Sequence, residues 1–534
     1  MKRLFLFLSF FIVIYFLTNC ARKGRPEGGP KDEKAPIMVT ANPPYKTVNF
    51  DKKTIKIYFD EYIVLKDLQK QLVISPPMKN APIITPQGTP SKYISIKILD
   101  TLAPNTTYTF NFGNAVQDNN ENNKLESFKY IFSTGKHIDS LYLKGSVMDA
   151  FKEKAPKNTS VLLYKIDSLY NDSIIYKEKP NYVTSTLDTT NFNLTNLKKG
   201  KYLLVALKEI SGNYLFNPKE DKIAFYKDTI QLPKDSVIKK PLKLFKEVQP
   251  FHFKRGKEVS KGHIIFGFTG KREHLKVNLT STTPASFKNF SQFEKGKDTL
   301  HYWYIPFQAD SLHFNVSNGN SIEETTVMLR KKKIDSLLIS STVNANLKLN
   351  DTLFLTTNNP ITKIDSTKFH LVQKDSIKIN YKLYKKEFNK LAVLFDETPK
   401  TNYRLTLFPK AITDLYQTSN KDTLVYNFRT KTIEDYGSIT LDLRNNTNKT
   451  VLIQLLGKGN AIVNSKSISA SQKIDFKLLE PAEYTIRAII DTNKNNVWDT
   501  GNFLLREQPE KVIYFPTALK LRANWNINEV FIVE

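Results

Sequence analysis

A chain of 534 residues is too long for one hydrophobic core, and it calls for about four or five domains of ordinary size. Its single cysteine excludes any intramolecular disulfide, so stability has to come from packing. The formal charge of +27 comes from 79 Lys and Arg against 52 Asp and Glu. These lysines are spread along the whole length rather than clustered, which describes a solvated surface and not a nucleic-acid patch.

The first element in chain order is a secretory signal. Lys2 and Arg3 make a short positive start, Leu4 to Leu17 is almost uninterruptedly apolar, and the stretch closes on Leu17-Thr18-Asn19-Cys20. The apolar run is short for a membrane span, and no later stretch approaches the roughly 20 residues that a spanning helix needs. Export argues against a nucleic-acid partner and directs the positive charge toward anionic envelope polymers such as lipopolysaccharide or acidic glycan. The only cysteine stands at the end of the signal, where the sequence resembles the lipobox of bacterial lipoproteins, although Asn19 replaces the small residue usual before the cysteine. That resemblance implies lipid on Cys20, which becomes the mature N-terminus, and residues 1–19 as the signal peptide.

Residues 20–36 are rich in Gly, Pro and charge (Arg22-Lys23-Gly24-Arg25-Pro26-Glu27-Gly28-Gly29-Pro30-Lys31-Asp32-Glu33) and cannot bury a core. They read as a flexible tether. Lys31-Asp32-Glu33 also loosely resembles the acidic surface-export signals of some envelope lipoproteins.

Beyond the tether the pattern is strand after strand. Thr54–Phe59, Thr107–Phe112 and Lys129–Phe132 alternate with period two between Asn, Asp, Pro and Gly clusters. Only Tyr62 to Leu72 reads as a short helix. The fold class expected is therefore all-β, a tandem array of β-sandwiches.

An internal repeat orders the array. Asn105-Thr106-Thr107-Tyr108, Ala115-Val116-Gln117-Asp118 and Phe132-Ser133-Thr134 return as Thr401-Asn402-Tyr403, Ala411-Ile412-Thr413-Asp414 and Phe428-Arg429-Thr430. A second unit repeats too: Leu194, Leu197, Tyr202, Ala206, Asn213 and Phe216 correspond without a gap to Phe476, Leu479, Tyr484, Ala488, Asn495 and Trp498. The expected order is module A (37–135), B (138–247), C (248–333), A′ (334–432) and B′ (433–534).

Module A, through Leu102-Ala103-Pro104-Asn105-Thr106-Thr107-Tyr108, Asp118 and Phe132-Ser133-Thr134-Gly135, resembles the bacterial Ig-like domain of the S-layer-associated type. Module B, through Phe192-Asn193-Leu194-Thr195-Asn196-Leu197-Lys198-Lys199-Gly200-Lys201-Tyr202, is similar to prealbumin-like, carboxypeptidase-regulatory-like sandwiches. Taken with Cys20 and Gly28-Gly29-Pro30-Lys31-Asp32, the chain resembles Ig-like outer-membrane lipoproteins. The resemblance implies attachment at the outer membrane and partner binding, and it supplies no catalytic residues.

Two local features are candidate ligand sites. In Asp491–Asn502, oxygen side chains recur with the spacing of an EF-hand calcium loop, with Asp491, Asn493, Asn495 and Asp499 as ligands and Asn496 in place of the turning glycine. The twelfth position, Asn502, lacks the bidentate carboxylate, and the alternative is a side-chain-capped turn with no cofactor. Trp498 is expected in the core because its repeat partner is Phe216. The second feature is Leu300–Phe307, where Tyr302, Trp303 and Tyr304 form either an exposed aromatic platform for sugar rings or a buried strand.

Motifs for catalysis are missing from the sequence. The seven histidines lack paired metal-ligand spacing, and neither a phosphate loop nor a Gly-x-Ser-x-Gly elbow occurs. The expectation is a non-enzymatic scaffold, anchored by lipid in the outer membrane and facing the cell surface, that docks onto an envelope assembly, export or uptake complex. A glycan-binding or adhesive surface protein is the alternative.

Overall fold

The computed structural model describes residues 32–154, 156–373 and 377–534; Cys20 and the signal segment lie outside them. Every sheet draws its strands from one of five consecutive stretches of chain. In module A, Met38–Asn42, Thr54–Leu65, Ser91–Lys97 and Ile83–Thr85 form one layer in that order, with Val116–Asp118 paired to the end of the long second strand. The facing layer is Val73–Ser75, Thr107–Gly113 and Phe128–Ser133. Inward side chains such as Ile55, Ile57, Phe110 and Tyr130 fill the space between them. Alternation of buried and exposed positions along Thr54–Phe59 matches one sheet face packed and one wet.

The expected helix over Tyr62–Leu72 is strand in its first four residues. Ile63 to Leu65 pair with Asp118 to Val116, and only Leu68–Gln71 turns helical. Ladder hydrogen bonds across the sheet outweigh the local pattern there.

Module A′ repeats the plan. Ile339–Ser341, Leu353–Thr357, Lys390–Phe395 and Tyr381–Glu387 oppose Asn346–Leu347, Leu424–Thr430, Asn402–Leu407, Phe369–Gln373 and Ile377–Lys378. The repeated residues do the same physical work in both copies. Tyr108 Oη accepts the Ala103 amide at 2.9 Å, and Tyr403 Oη accepts the Thr398 amide at 2.7 Å. Such tyrosine corners clamp a connection to the strand that follows it. Thr134 and Thr430 each bridge the same turn, accepting the amides of Thr106 and Thr401 at 2.9 and 3.1 Å.

Asp118 and Asp414 each close a strand-end turn. Asp118 accepts the backbone amides of Asn120, Glu121, Asn122 and Asn123; Asp414 accepts those of Tyr416 and Thr418 and the Asn359 amide group. Burial pulls the Asp118 carboxyl upward, and the four amide donors outweigh it, so the group lies below the usual carboxylate range. Its contribution to stability is complete above the unfolded carboxylate value and is lost as pH falls through the lower folded value. Asp118→Asn is expected to cost roughly 1.5–3 kcal/mol at neutral pH and to flatten the acid limb of a stability-versus-pH curve. An unchanged acid limb in the variant would rule this out.

Module B and module B′ share a second plan. In B, Tyr182–Ser185, Ser160–Lys165, Gly200–Lys208 and Lys222–Phe225 face Asn191–Leu197, Leu141–Asp149 and the parallel Leu242–Leu244. In B′, Ile462–Ile468, Thr450–Leu456, Ala482–Asp491 and Val512–Tyr514 face Gln472–Leu479, Gly437–Asn445 and the parallel Asn526–Val533. Here too the repeated tyrosines act alike, Tyr202 donating to Lys198 O at 3.0 Å and Tyr484 to Glu480 O at 2.7 Å. Module C is a smaller sandwich of His252–Ser260, His263–Thr269, Thr299–Tyr304 and Asn289–Phe293 over Lys276–Leu279, Ser311–Asn318 and Ser321–Met328.

One sheet of module B is buried on both faces. Four consecutive residues of Ser160–Lys165 and six of Gly200–Lys208 are buried, where a sheet wet on one side would alternate. Val161, Leu163, Leu204 and Ala206 point into module B itself. Leu162, Tyr164, Leu203 and Val205 point outward into a second cluster with Phe225 and Phe245, which also takes in Val73 of module A and Phe503 of module B′. The first and last repeats of this plan therefore meet in space.

Candidate functional site

The segment after Ala482–Asp491 is both the candidate calcium loop and the piece that reaches module B. Asp491 is buried, and its two carboxylate oxygens accept the backbone amides of Asn495 and Asn496 at 3.2 and 2.8 Å. Asp499 Oδ2 accepts the side-chain amides of Asn493 and Asn495 at 2.7 and 2.8 Å. Asn496 takes the left-handed conformation expected of it, with φ of +62°.

Glu510, which sequence spacing did not single out, completes the turn. One of its oxygens accepts both the amide and the hydroxyl of Thr492, the other accepts the Asp499 amide, and its backbone carbonyl accepts Trp498 Nε1. Among the described residues no three His, Cys, Asp or Glu side chains converge as metal ligands. N–H groups meet both Asp491 oxygens, and Asn493 and Asn495 turn amide nitrogens toward Asp499. These hydrogen bonds are those of a side-chain-capped turn. Asp491→Ala is expected to lower the unfolding midpoint by the same amount with and without millimolar calcium; a calcium-dependent rise in the parent that the variant loses would contradict this.

Trp498 is only half-buried, and it lies outside the core of its own module. It packs on Phe151 of module B, ring centroids 4.6 Å apart. Around it the two modules exchange hydrogen bonds: Thr500 Oγ1 donates to Lys246 O at 2.8 Å, the Phe503 amide to Glu247 at 2.6 Å, Gln508 to Phe225 O at 3.1 Å, and Tyr514 to Phe151 O at 2.8 Å. Arg506 pairs with Asp172, and the Arg487 guanidinium lies over the Phe151 ring at 4.1 Å. Gly501 is required by close approach, since a Cβ there would lie 2.6 Å from Glu507 O and 2.7 Å from the Phe245 ring.

The aromatic strand of module C is not a platform. Tyr302, Trp303 and Tyr304 are all buried, at 2, 3 and 1 % exposure. Tyr302 and Tyr304 point into the module core. Trp303, on the other face, stacks on His263 and His301, whose Nε2 and Nδ1 lie 2.9 Å apart. Burial first, and the neighbouring His301 second, push His263 down to about 4. Module A′ closes over this end, with Tyr416 Oη donating to Gly262 O at 2.8 Å. Sequence alternation placed one face of the strand correctly, but the neighbouring module that helps cover this end leaves no local signal.

Comparison with known proteins bears on the fold. Residues 32–134, module A, match the model of the bacterial Ig-like domain family. Solved structures that the chain is similar to include domains 5–6 of the S-layer protein SbsC (10 % identity, 35 % of this chain and 99 % of that one, TM-score 0.18). SGBP-B of the mixed-linkage glucan utilization locus of Bacteroides ovatus, in complex with a mixed-linkage heptasaccharide, matches at 10 % identity over 63 % of this chain and 87 % of that one, with TM-score 0.18. The major pilin subunit BcpA of Bacillus cereus matches at 10 % identity over 74 % of this chain and 99 % of that one, with TM-score 0.15. No curated protein matches the chain.

Proposed function

We propose that this protein is a non-enzymatic scaffold of the bacterial envelope, anchored in the outer membrane through lipid on Cys20, facing the cell surface, and docked onto a membrane assembly, export or uptake complex. The N-terminal sequence supports the anchor, and the bacterial Ig-like module supports a surface setting. The observation that carries the scaffold reading is the lock between modules B and B′. Closing a loop of more than two hundred residues through a buried aromatic cluster holds distant modules in one arrangement, and a docking surface built from several modules needs such a fixed arrangement. The buried Tyr302, Trp303 and Tyr304 no longer support glycan binding at module C.

The test is affinity capture through a tag after Glu534 from detergent-solubilised envelopes. Repeated recovery of one outer-membrane partner is the expected result, and repeated recovery of none counts against the scaffold. Protease shaving of intact cells reads out the exposed face.

A further inference from the structure

The outer face of module A′ carries a polar shelf that neither the lock nor the anchor uses. On the paired strands Asn402–Leu407 and Leu424–Thr430, Arg404 stands opposite Asn427, and Asn402 opposite Arg429. The two arginines are thus diagonal neighbours, a placement that sets residues roughly 7–8 Å apart. Arg429 is also flanked by Asn346 of the parallel neighbouring strand. Each guanidinium is held by one asparagine through Nε, Arg404 on Asn427 at 3.2 Å and Arg429 on Asn346 at 3.1 Å.

Among the described residues no carboxylate pairs with either guanidinium. A hollow of about 510 Å³ covers the shelf. It shares Asn402 and Arg429 with a second hollow of about 700 Å³ that continues past Lys400 toward module B′. The two hollows adjoin at these residues.

We infer that these adjoining hollows bind an acidic oligosaccharide, its carboxylate or phosphate groups held by Arg404 and Arg429 and its hydroxyls by the asparagine amides. Guanidinium forks recognise carboxylate and phosphate through paired hydrogen bonds, and asparagine offers both a donor and an acceptor to sugar hydroxyls. An open, cationic hollow with no aromatic platform selects charge and hydroxyl pattern ahead of an apolar ring face. The inference is independent of the scaffold reading, because it needs neither the anchor nor a protein partner.

The test is titration calorimetry on the full chain in detergent, with three probes: an oligogalacturonide, a phosphorylated core oligosaccharide freed of its lipid, and a neutral glucose hexasaccharide. Saturable binding of at least one acidic probe is expected, with the neutral one at least about tenfold weaker, as suits loss of charged hydrogen bonds. Binding of the phosphorylated probe alone would assign the ligand to the cell's own envelope, and binding of the uronate alone to an external polymer. The R404A/R429A variant should lose about tenfold or more, and the R404K/R429K variant, which keeps the charge, should fall between. All four substituted positions, these two and the control pair Lys473 and Lys477, are exposed, so folding is not at risk. Equal loss in the K473A/K477A control, unchanged affinity in R404A/R429A, equal binding of the neutral sugar, or no binding of either acidic probe would overturn the inference.

Discussion

Phe503→Ala is expected to destabilise the molecule by about 3–5 kcal/mol, as a fully buried aromatic ring is removed from a packed site. Phe503 is 0 % exposed, and its ring meets Phe225 of module B edge-on at 5.4 Å, with the Arg506 guanidinium 4.7 Å from its centre. The residue belongs to module B′, yet the cavity would open in the cluster on module B. The loss should therefore appear in both places. Hydrogen exchange should rise in the 498–508 segment and also along Ser160–Lys165 and Gly200–Lys208, whose outer face Phe503 helps cover. Val451 and Ile453 lie in the separate core of B′, and their amides should keep their protection. Exchange that rises only within 498–508, with module B unaffected, would mean that the modules touch without supporting each other.

Cys20→Ser is expected to abolish membrane association altogether. The chain contains no other thiol, and among the described residues no helix is long and apolar enough to cross a membrane. Acylation contributes about 0.8 kcal/mol per buried methylene, and stable anchoring takes more than one chain, so removal of the acceptor sulfur leaves little to hold the protein on a bilayer. Fractionation of cells that express the serine variant should find it out of the membrane pellet, and mass spectrometry of the parent should find acyl chains on Cys20. A serine variant that stays in the pellet after a wash that strips protein-bound material would refute the anchor.

Much of the architecture was legible because period-two alternation and turn residues act locally. The paired Tyr108 and Tyr403, and the paired Asp118 and Asp414, could be found as repeats before any contact was known. Their roles follow from chemistry that travels with the residue, a hydroxyl reaching five residues back or a carboxylate closing the turn beside it. The first part of the helix expected over Tyr62–Leu72 failed for the opposite reason. Ile63 and its neighbours are ordered by a partner strand more than fifty residues on, and local periodicity carries no record of that pairing.

The candidate sites divide in the same way. Spacing in Asp491–Asn502 correctly marked a loop rich in oxygen side chains, but an oxygen that accepts an N–H and one that binds a cation have the same sequence. The placed donors, with Glu510 arriving from just before the returning strand, show the capped turn. Tyr302, Trp303 and Tyr304 show a related limit, since alternation tells which side chains share a face and not whether another module covers it.

By itself, then, the sequence determined what is local: strand-built modules, and two plans each used twice. Tertiary structure alone decided which outward faces stay wet, that Phe503 and Trp498 fold into module B, and that Arg404 and Arg429 come to share a hollow. The reason is physical. Alternation and turn chemistry are set within a few residues of backbone, whereas burial between modules depends on surfaces brought together from opposite ends of the chain.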